Sequence, residues 1–287
     1  MLVELYCTID DFSKLLSENL GEKKLIGSTK TKNVMTVTLS EIVTISIFYH
    51  FSKYKNFKSY YEQHVKVHLV KDFPNAPSYS RMVELQRDTF WFLALFVQSL
   101  AAFCTGISII DSTSLAVCEN SRRYRNKIFK GLAQSGRTST KWFFGFKLHM
   151  VINHLGEIVS FYITSGNVAD NDPDVLNKLT KNIIGKLVAD RGYMGRFKDL
   201  YDRGITLIHG LRSNMKNKLI SLFDKYLLQQ RSIIETIFGI LKTDFDLEHS
   251  RHRSVKGFFI NIFTTLAAYA LRPKKPSICL NKAVLVN

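Results

Sequence analysis

The sequence predicts an α/β domain preceded by a smaller all-helical region. Residues 39–106 carry apolar side chains at helical spacing, whereas the chain after Gly106 alternates short β-branched segments with helical ones. Such alternation is typical of a sheet covered by helices. At 287 residues, 46% of them hydrophobic, the chain is long enough to bury a large core and has the composition of a globular protein.

The N-terminal region is predicted to contain three helices. Ser40 is a candidate N-cap for a helix that runs through Phe48, a second helix spans residues 57–69, and a third spans residues 81–103. A proline-containing turn separates the last two. Lysines and tyrosines cluster near the start of the second helix, so this region is either a small DNA-binding domain or a helical unit with an aromatic core. Both interpretations stay open.

The α/β region is predicted to contain five strands, at residues 107–117, 142–152, 158–164, 186–189 and 206–209. Three consecutive strands, then a helix, a strand, a helix and a strand, is the order expected of a ribonuclease H-like mixed sheet flanked by helices. Asp172 and Pro173 suit the N-cap and first position of the helix after the third strand. The alternate aspartates there imitate a calcium loop, but Val175 occupies the position that requires glycine.

Residues 90–110 form an apolar segment that is long enough to span a bilayer. Gln98, Thr105 and Gly106 interrupt it, and its last part is β-branched and leads directly to Asp111. These features favour a buried helix followed by a core strand. No membrane span is predicted.

The chain is strongly basic, with 40 Lys and Arg against 24 Asp and Glu and a formal net charge of +16. This surplus favours nucleic acid as a partner, while a membrane surface or an ordinary basic enzyme remain alternatives. The four cysteines are scattered without metal-ligand spacing. Glu4, Asp10 and Asp11 follow the short apolar start, a pattern unlike a signal peptide. We therefore expect a cytoplasmic protein.

Three carboxylates stand out by their context. Asp111 lies in the middle of an apolar predicted strand, Asp190 follows another, and Glu235 lies within a predicted helix. A buried aspartate is costly unless it is paired, hydrogen-bonded or bound to a metal ion, so both aspartates require a partner. Arg231, Glu235 and Lys242 share one stripe of the helix, opposite a stripe of isoleucines. A solvated face with an ordinary Arg231–Glu235 pair is the alternative interpretation.

Five motifs, in this order, resemble those of bacterial insertion-sequence transposases of the DDE superfamily, over about residues 105–271. They are Ile-Ile-Asp-Ser-Thr at 109–113, Gly-Phe-Lys-Leu-His at 145–149, Gly-Asn-Val-Ala-Asp at 166–170, Val-Ala-Asp-Arg-Gly-Tyr at 188–193, and Arg-Ser-Ile-Ile-Glu at 231–235 followed by Lys242. The last is similar to the Tyr-Arg-Glu-Lys signature of one large transposase group. Leu228 stands at the position of the tyrosine, so no role of that tyrosine carries over.

The resemblance implies an enzyme that cleaves transposon ends and transfers the 3′-hydroxyl strand to target DNA by two-metal phosphoryl transfer. Asp111, Asp190 and Glu235 are then the catalytic and metal-binding residues. The implied cofactor is a pair of Mg²⁺ ions, which Mn²⁺ can replace, because both ions prefer carboxylate oxygens. The implied partners are the terminal inverted repeats and target DNA, bound by a homodimer or a larger assembly at the bacterial nucleoid. No interaction with a membrane is expected.

Six basic residues are the candidate DNA contacts. Arg231 and Lys242 lie beside Glu235, Lys147 shares a strand face with His149, and a basic patch after the catalytic helix supplies Arg251, Arg253 and Lys256. For His149 an ordinary core histidine is the expected role.

Three regions are predicted along the chain. Residues 1–105 form the helical region with a possible role in DNA-end binding, residues 106–272 form the catalytic domain, and residues 273–287 form a loose tail. Two alternative functions stay open at this point. One is another metal-dependent nuclease of the same fold, and the other is a non-catalytic DNA-binding protein derived from a transposase.

Overall fold

The computed structural model describes residues 1–20, 37–138, 140–193, 197–210, 220–249 and 252–280. The chain divides into two compact units. The helical unit comprises Met1–Leu100, Asp244–Leu247 and His252–Arg272, and the α/β unit comprises Ala101–Thr243, Glu248–Arg251 and Pro273–Asn287. The predicted α/β fold with a helical region at the N-terminus is confirmed.

The described helices are α1 (Leu2–Leu20), α2 (Leu39–Phe48), α3 (Phe57–Tyr60), α4 (Lys66–His68), α5 (Tyr79–Asp88), α6 (Phe90–Ser99), α7 (Pro173–Leu179), α8 (Phe197–Tyr201), α9 (Leu222–Gln230), α10 (Ile233–Thr243) and α11 (Val255–Ala270). A π-helical turn, Tyr61–Val65, joins α3 to α4. The strands are β1 (Ile107–Cys118), β2 (Gln134–Arg137), β3 (Trp142–Asn153), β4 (Ile158–Ser165), β5 (Gly185–Ala189) and β6 (Ile205–His209).

The N-cap of α2 is Thr38, so the prediction of Ser40 as the cap is wrong. The Thr38 hydroxyl accepts a hydrogen bond from the Glu41 backbone, and the Glu41 carboxylate accepts one from the Thr38 backbone at 2.7 Å. This reciprocal pair satisfies two N–H groups that the helix itself leaves free, which a cap at Ser40 would not do. Ser40 lies in the first turn and donates to Asp10 instead.

The helix predicted at residues 81–103 is two helices, α5 and α6. Thr89 separates them with backbone angles of φ −79° and ψ 0°. Its hydroxyl donates to the carbonyl oxygen of Gln86 at 2.8 Å, a local bond that competes with helical pairing. Periodicity alone did not reveal the break, since the apolar spacing continues on both sides of it.

Helix α11 belongs to the helical unit, although it lies near the C-terminus. It contacts α2, α5 and α6. The buried His50 ring fixes part of this packing, because its Nδ1 lies 2.8 Å from the carbonyl oxygen of Phe245 and its Nε2 lies 2.8 Å from the hydroxyl of Thr264. The helical unit therefore contains sequence from both ends of the chain.

This composition leads to a first prediction about truncation. A fragment that begins at residue 101 is expected to aggregate, because α11 would lose the helices that cover its apolar face, including Phe258, Ile262, Leu266 and Tyr269. Light scattering and urea denaturation of the fragment provide the measurement. The control is the same fragment without residues 252–272, which lacks the apolar helix. A monomeric first fragment with a single cooperative transition would contradict the prediction.

The α/β unit contains one six-stranded mixed sheet in the order β2–β3–β1–β5–β6, with β4 paired to β3. Strand β1 is antiparallel to β3 and parallel to β5, and β5 is parallel to β6. All five predicted strands are present, each within one residue of its expected ends. The short strand β2 was not predicted, because its sequence Gln-Ser-Gly-Arg lacks the alternation of apolar residues on which strand prediction depends.

The helix after β4 begins as predicted. The Asp172 carboxylate accepts hydrogen bonds from the backbones of Asp174 and Val175, and Pro173 occupies the first helical position. On the sheet face covered by α7, Ile110 and Val151 pack in one apolar core.

The apolar segment at 90–110 contains α6 and the start of β1, and no helix among the described residues is long and apolar enough to cross a membrane.

Candidate functional site

The sheet register brings Asp111 and Asp190 to the same level. Strands β1 and β5 are parallel, with Ile109 opposite Val188. Asp111 lies two residues beyond Ile109, and Asp190 lies two residues beyond Val188, directly after β5 ends. Because side chains alternate between faces, residues two apart lie on the same face of a strand. Both carboxylates are therefore placed side by side, Asp111 within β1 and Asp190 just beyond the end of β5.

Arg231 links these aspartates to Glu235. It follows the last residue of α9, and Glu235 lies in the first turn of α10. One guanidinium nitrogen, Nη1, lies 3.6 Å from Asp111 Oδ2 and 4.0 Å from Asp190 Oδ1. The other, Nη2, donates to Glu235 Oε1 at 3.1 Å. The three carboxylates singled out in the sequence thus converge on a single guanidinium.

Asp111 is the most buried of these carboxylates, with 21% of its side chain exposed against 56% for Asp190 and 57% for Glu235. Burial raises the pKa of Asp111 to about 6. The backbone N–H of Ser112, which donates to Asp111 Oδ1 at 2.8 Å, and the Arg231 guanidinium oppose this rise in pKa. Near neutral pH the site therefore holds several negative charges around one positive charge.

A cleft of about 450 Å³ opens beside Asp190 and Arg231. Leu228, Arg191 and Gly210 line its other sides. Leu228 is the residue that replaces the tyrosine of the Tyr-Arg-Glu-Lys signature, so the departure from that signature falls on a wall of the cleft. An apolar side chain there can pack against a ligand but cannot donate a hydrogen bond to it.

The chemistry of the site suits a hard divalent cation. Three carboxylates from separate elements offer the oxygen ligands that Mg²⁺ and Mn²⁺ prefer. Within the described residues, no three His, Cys, Asp or Glu side chains are arranged to hold a metal ion. The Arg231 guanidinium lies among the carboxylates, and it supplies the positive charge that they require.

The structure adds Asp170 to this neighbourhood, a residue that the sequence analysis quoted in a motif but did not place in the site. Its Oδ1 accepts hydrogen bonds from the Ser112 hydroxyl at 2.7 Å and from Lys147 Nζ at 3.0 Å. Lys147 also donates to the carbonyl oxygen of Val168. Ser112 follows Asp111, so this network holds the backbone that presents Asp111.

Two buried polar side chains border the same region. The His149 ring is buried, with Nε2 2.9 Å from the Thr164 hydroxyl, and burial lowers the pKa of His149 to about 4. His149 is therefore a neutral core histidine, as expected, but within the described part of the chain only one of its ring nitrogens is hydrogen-bonded. Its Nδ1 and the hydroxyl of Tyr193 have no hydrogen-bond partner among the described residues. Burial raises the pKa of Tyr193, which stays protonated.

Lys242 contacts the edge of β1. Its Nζ donates to the carbonyl oxygen of Ser114 at 2.6 Å and pairs with the Glu248 carboxylate at 2.7 Å. The same carboxylate accepts from the backbone N–H of Ala116 at 2.9 Å. Pairing between β1 and β5 ends at Ile109, and these two side chains satisfy backbone groups farther along β1. Lys242 thus shares a stripe with Glu235 but pairs with another carboxylate.

A second prediction concerns this lysine. Lys242→Ala is expected to lower the free energy of unfolding by about 1–3 kcal/mol, because it leaves the Ser114 carbonyl and the half-buried Glu248 carboxylate without their donor. Urea denaturation provides the measurement. Lys256→Ala is the matched control, since Lys256 is exposed. Equal stability of both variants would show that the contacts of Lys242 contribute nothing and would leave DNA binding as its role.

The remaining candidate DNA contacts lie elsewhere. Arg253 and Lys256 are exposed and belong to the helical unit. Arg251 lies outside the described residues. Among the five of these basic residues that the structure describes, only Arg231 contacts the three carboxylates.

Comparison with known proteins identifies the class that this fold and site define. The family model described as transposase DDE domain matches residues 101–255, which is more than half of the chain. The chain therefore belongs to the family of transposase DDE domains, and the resemblance inferred from its motifs is confirmed. A search of curated proteins gives no match. Membership implies transposase function, nucleotidyl-transfer or endonuclease activity on DNA, and a divalent metal cofactor in general terms.

Proposed function

We propose that this protein is a DNA transposase that cleaves transposon ends and transfers the resulting 3′-hydroxyl strand to target DNA, using two Mg²⁺ ions. The observation that carries the proposal is the convergence of Asp111, Asp190 and Glu235 on one guanidinium. These carboxylates come from β1, from the end of β5 and from α10, which are far apart in the sequence. Family membership makes transposition the reaction that such a cluster would serve.

The topology supports a ribonuclease H-like fold. Strands β1, β3 and β4 form an antiparallel set, and β5 and β6 extend the sheet in parallel from β1. Apart from the short β2, the order of strands and helices along the chain is the one that the sequence predicts for that fold. In the proposal, the helices of residues 1–105 contribute to recognition of transposon ends, and the enzyme acts as a dimer or larger assembly on paired ends at the nucleoid.

Each acidic side chain has an assigned role. Asp111, the most buried of the three, would hold the metal ions together with Asp190 and Glu235. When bound, Mg²⁺ supplies the positive charge that activates an attacking hydroxyl and stabilises the oxygen that leaves phosphorus. Asp170, with Lys147 and Ser112, would keep the Asp111 segment in place.

Arg231 has a second role in the proposal. Its guanidinium offsets part of the negative charge of the carboxylates, and it borders the cleft next to Asp190. A guanidinium can donate two parallel hydrogen bonds to a phosphate. Arg231 would therefore turn from the carboxylates to the DNA backbone when DNA and metal ions bind, which orients the scissile phosphate beside Asp111 and Asp190.

The test is cleavage and joining of labelled DNA that carries the terminal repeats flanking the gene, with Mg²⁺ or Mn²⁺. A transposase both nicks the ends and joins them to a second DNA molecule. Nicking without joining would favour another nuclease of the same fold. Binding without cleavage in either metal would favour a non-catalytic DNA-binding protein.

A further inference from the structure

The segment that connects β1 to β3 is an unusually basic surface. We call residues 119–138 the basic connector. It contains six Arg and Lys residues and a single acidic residue, Glu119. Arg122 pairs with Glu119 at 3.8 Å, and both side chains are largely exposed. In the described part of the chain no ion pair is formed by the other exposed basic residues, Arg125, Lys127, Lys130 and Arg137. Most of this positive charge is therefore available to an anionic partner.

Two exposed aromatic rings lie close to these basic residues, and an arginine guanidinium lies over each ring. Tyr124 is 85% exposed, and the Arg123 guanidinium lies 4.6 Å from its ring centroid. Trp142, the first residue of β3, is 56% exposed, and the Arg137 guanidinium lies 5.8 Å from its ring. An exposed aromatic ring beside a phosphate-binding side chain is the arrangement on which unpaired bases stack. Duplex DNA keeps its bases stacked internally and has no need of such rings.

The connector is anchored to the sheet. Phe129 is buried, and its ring packs edge to face on Phe146 of β3. Strand β2 pairs with the start of β3 and passes so close to Gly166 that a Cβ on Gly136 would lie 2.1 Å from the Gly166 carbonyl oxygen. Gly136 is therefore required by this close approach. The exposed charges and rings thus project from an ordered platform that is already built without a ligand.

The connector also has a defined position relative to the carboxylates. Both lie in the α/β unit, and β1 runs from Asp111 directly to the start of the connector. Cys118 at the end of β1 pairs with Phe144 near the start of β3, so Tyr124 and Trp142 lie at the same end of the sheet. Cys118 lies seven positions beyond Asp111, a distance of about 23 Å along a strand. A DNA strand a few nucleotides long could span it.

We propose that the basic connector and Trp142 form a binding surface for single-stranded DNA. Phosphates would contact Arg122, Arg125, Lys127 and Lys130, and unpaired bases would stack on Tyr124 and Trp142. This inference rests on the proposed function, in which DNA is the substrate. It adds to that function a second DNA-binding surface, seven positions along β1 from Asp111. Such a surface holds the strand that is displaced when DNA ends are opened.

The test measures the affinity of the full-length protein for a fluorescent 20-nucleotide oligodeoxythymidylate and for a 20-base-pair duplex, by anisotropy. Tyr124→Ala and Trp142→Ala are each expected to lower the affinity for the single strand about tenfold, because each removes a stacking platform. Affinity for the duplex should change less than about twofold. Tyr124→Phe keeps the ring and should bind the single strand like the unaltered protein.

The role of the basic residues is tested separately, by the salt dependence of binding. Arg125→Ala combined with Lys127→Ala is expected to reduce the slope of log K against log salt by about 0.7 for each phosphate contact that is lost. Phe103→Ala is the matched control for an exposed ring, since Phe103 is 91% exposed in the same unit and precedes β1. It should leave both affinities unchanged.

These experiments distinguish failure of the binding surface from failure of the proposed function. Single-strand binding by Tyr124→Ala and Trp142→Ala equal to that of the unaltered protein would overturn the surface, whatever the cleavage assay gives. Equal losses for single strand and duplex would also overturn it, since stacking would then not be the cause. Asp111→Asn should keep single-strand binding. If Asp111→Asn also kept cleavage, the proposed function would fail while the binding surface would remain supported.

Discussion

Replacing Asp111, Asp190 or Glu235 by its amide is expected to abolish cleavage and joining of transposon-end DNA while the protein still folds and binds DNA. Each substitution is nearly isosteric and removes one negative charge from the cluster around Arg231. A neutral amide is a poor ligand for Mg²⁺, so the loss should approach the detection limit of the assay. Because the three residues serve one unit, a double substitution should add little to the loss from a single one.

Although Asp111→Asn should abolish cleavage, it is expected to raise the free energy of unfolding above about pH 6. The pKa of Asp111 is raised by burial from 3.8 to about 6, so the folded state holds this proton more tightly than the unfolded state. Stability from the protonated carboxyl is fully present below about pH 3.8 and is lost as the pH rises through about 6. Above pH 6 the ionised group costs on the order of 3 kcal/mol, at 1.36 kcal/mol per pKa unit. Asparagine is uncharged at every pH, so the variant does not bear the cost of a buried ionised group.

Urea denaturation in a chelator, at pH 4, 6 and 8, measures this effect. The stability of Asp111→Asn relative to the unaltered protein should rise with pH through this range. Asp174→Asn is the control, because Asp174 is an exposed residue in the first turn of α7 and should keep its cleavage activity. Near-normal cleavage by any one of the three amide variants would remove that residue from the proposed site. Activity that a chelator does not reduce would contradict the use of metal ions.

The sequence predicted the parts of this site that depend on local pattern. Apolar, β-branched segments predicted β1 and β5, and a carboxylate in or just after each strand predicted two neighbouring acids. Helical spacing placed Arg231 on the same side as Glu235, and their contact at 3.1 Å agrees with it. These features need only the period of a strand or a helix and the parallel pairing of two strands.

The remaining features depend on tertiary contacts that have no local signal. Lys242 shares the stripe of Glu235, but its Nζ reaches Ser114 and Glu248 because α10 lies against β1. Asp170 enters the site because the loop after β4 brings it to Ser112 on a neighbouring part of the sheet. Helix α11 joins the helical unit because its apolar face is covered by helices that come more than 150 residues earlier. The spacing of residues in the sequence does not predict such contacts.

Arg231→Gln is expected to destabilise the protein at pH 8 in a chelator by about 1–3 kcal/mol. The substitution removes the guanidinium that contacts all three carboxylates, so their mutual repulsion is no longer balanced. The lower part of this range allows for solvent screening, because Asp190 and Glu235 are more than half exposed. Arg231 opposes the rise in the pKa of Asp111, so this pKa should rise further in the variant. The deficit should therefore shrink below about pH 5.

Divalent cations should reverse the effect. Carboxylates without their guanidinium bind a cation more readily, and a ligand that binds only the folded state raises its stability. Mn²⁺ should therefore raise the melting temperature of Arg231→Gln more than that of the unaltered protein, at matched ionic strength. Arg81→Gln is the control, since Arg81 pairs with Glu84 on an exposed surface and its loss should cost under about 0.5 kcal/mol.

Arg231→Lys separates charge from geometry. Lysine keeps the positive charge but has a single nitrogen, whereas Arg231 uses Nη1 toward both aspartates and Nη2 toward Glu235. We expect this variant to recover part of the stability at pH 8 and little of the cleavage, because an ammonium lacks the planar fork with which a guanidinium reaches several carboxylates or binds a phosphate in bidentate fashion. If Arg231→Gln were as stable as the unaltered protein and responded equally to Mn²⁺, Arg231 would not balance the charge of the carboxylates. Its role would then be confined to the DNA phosphate.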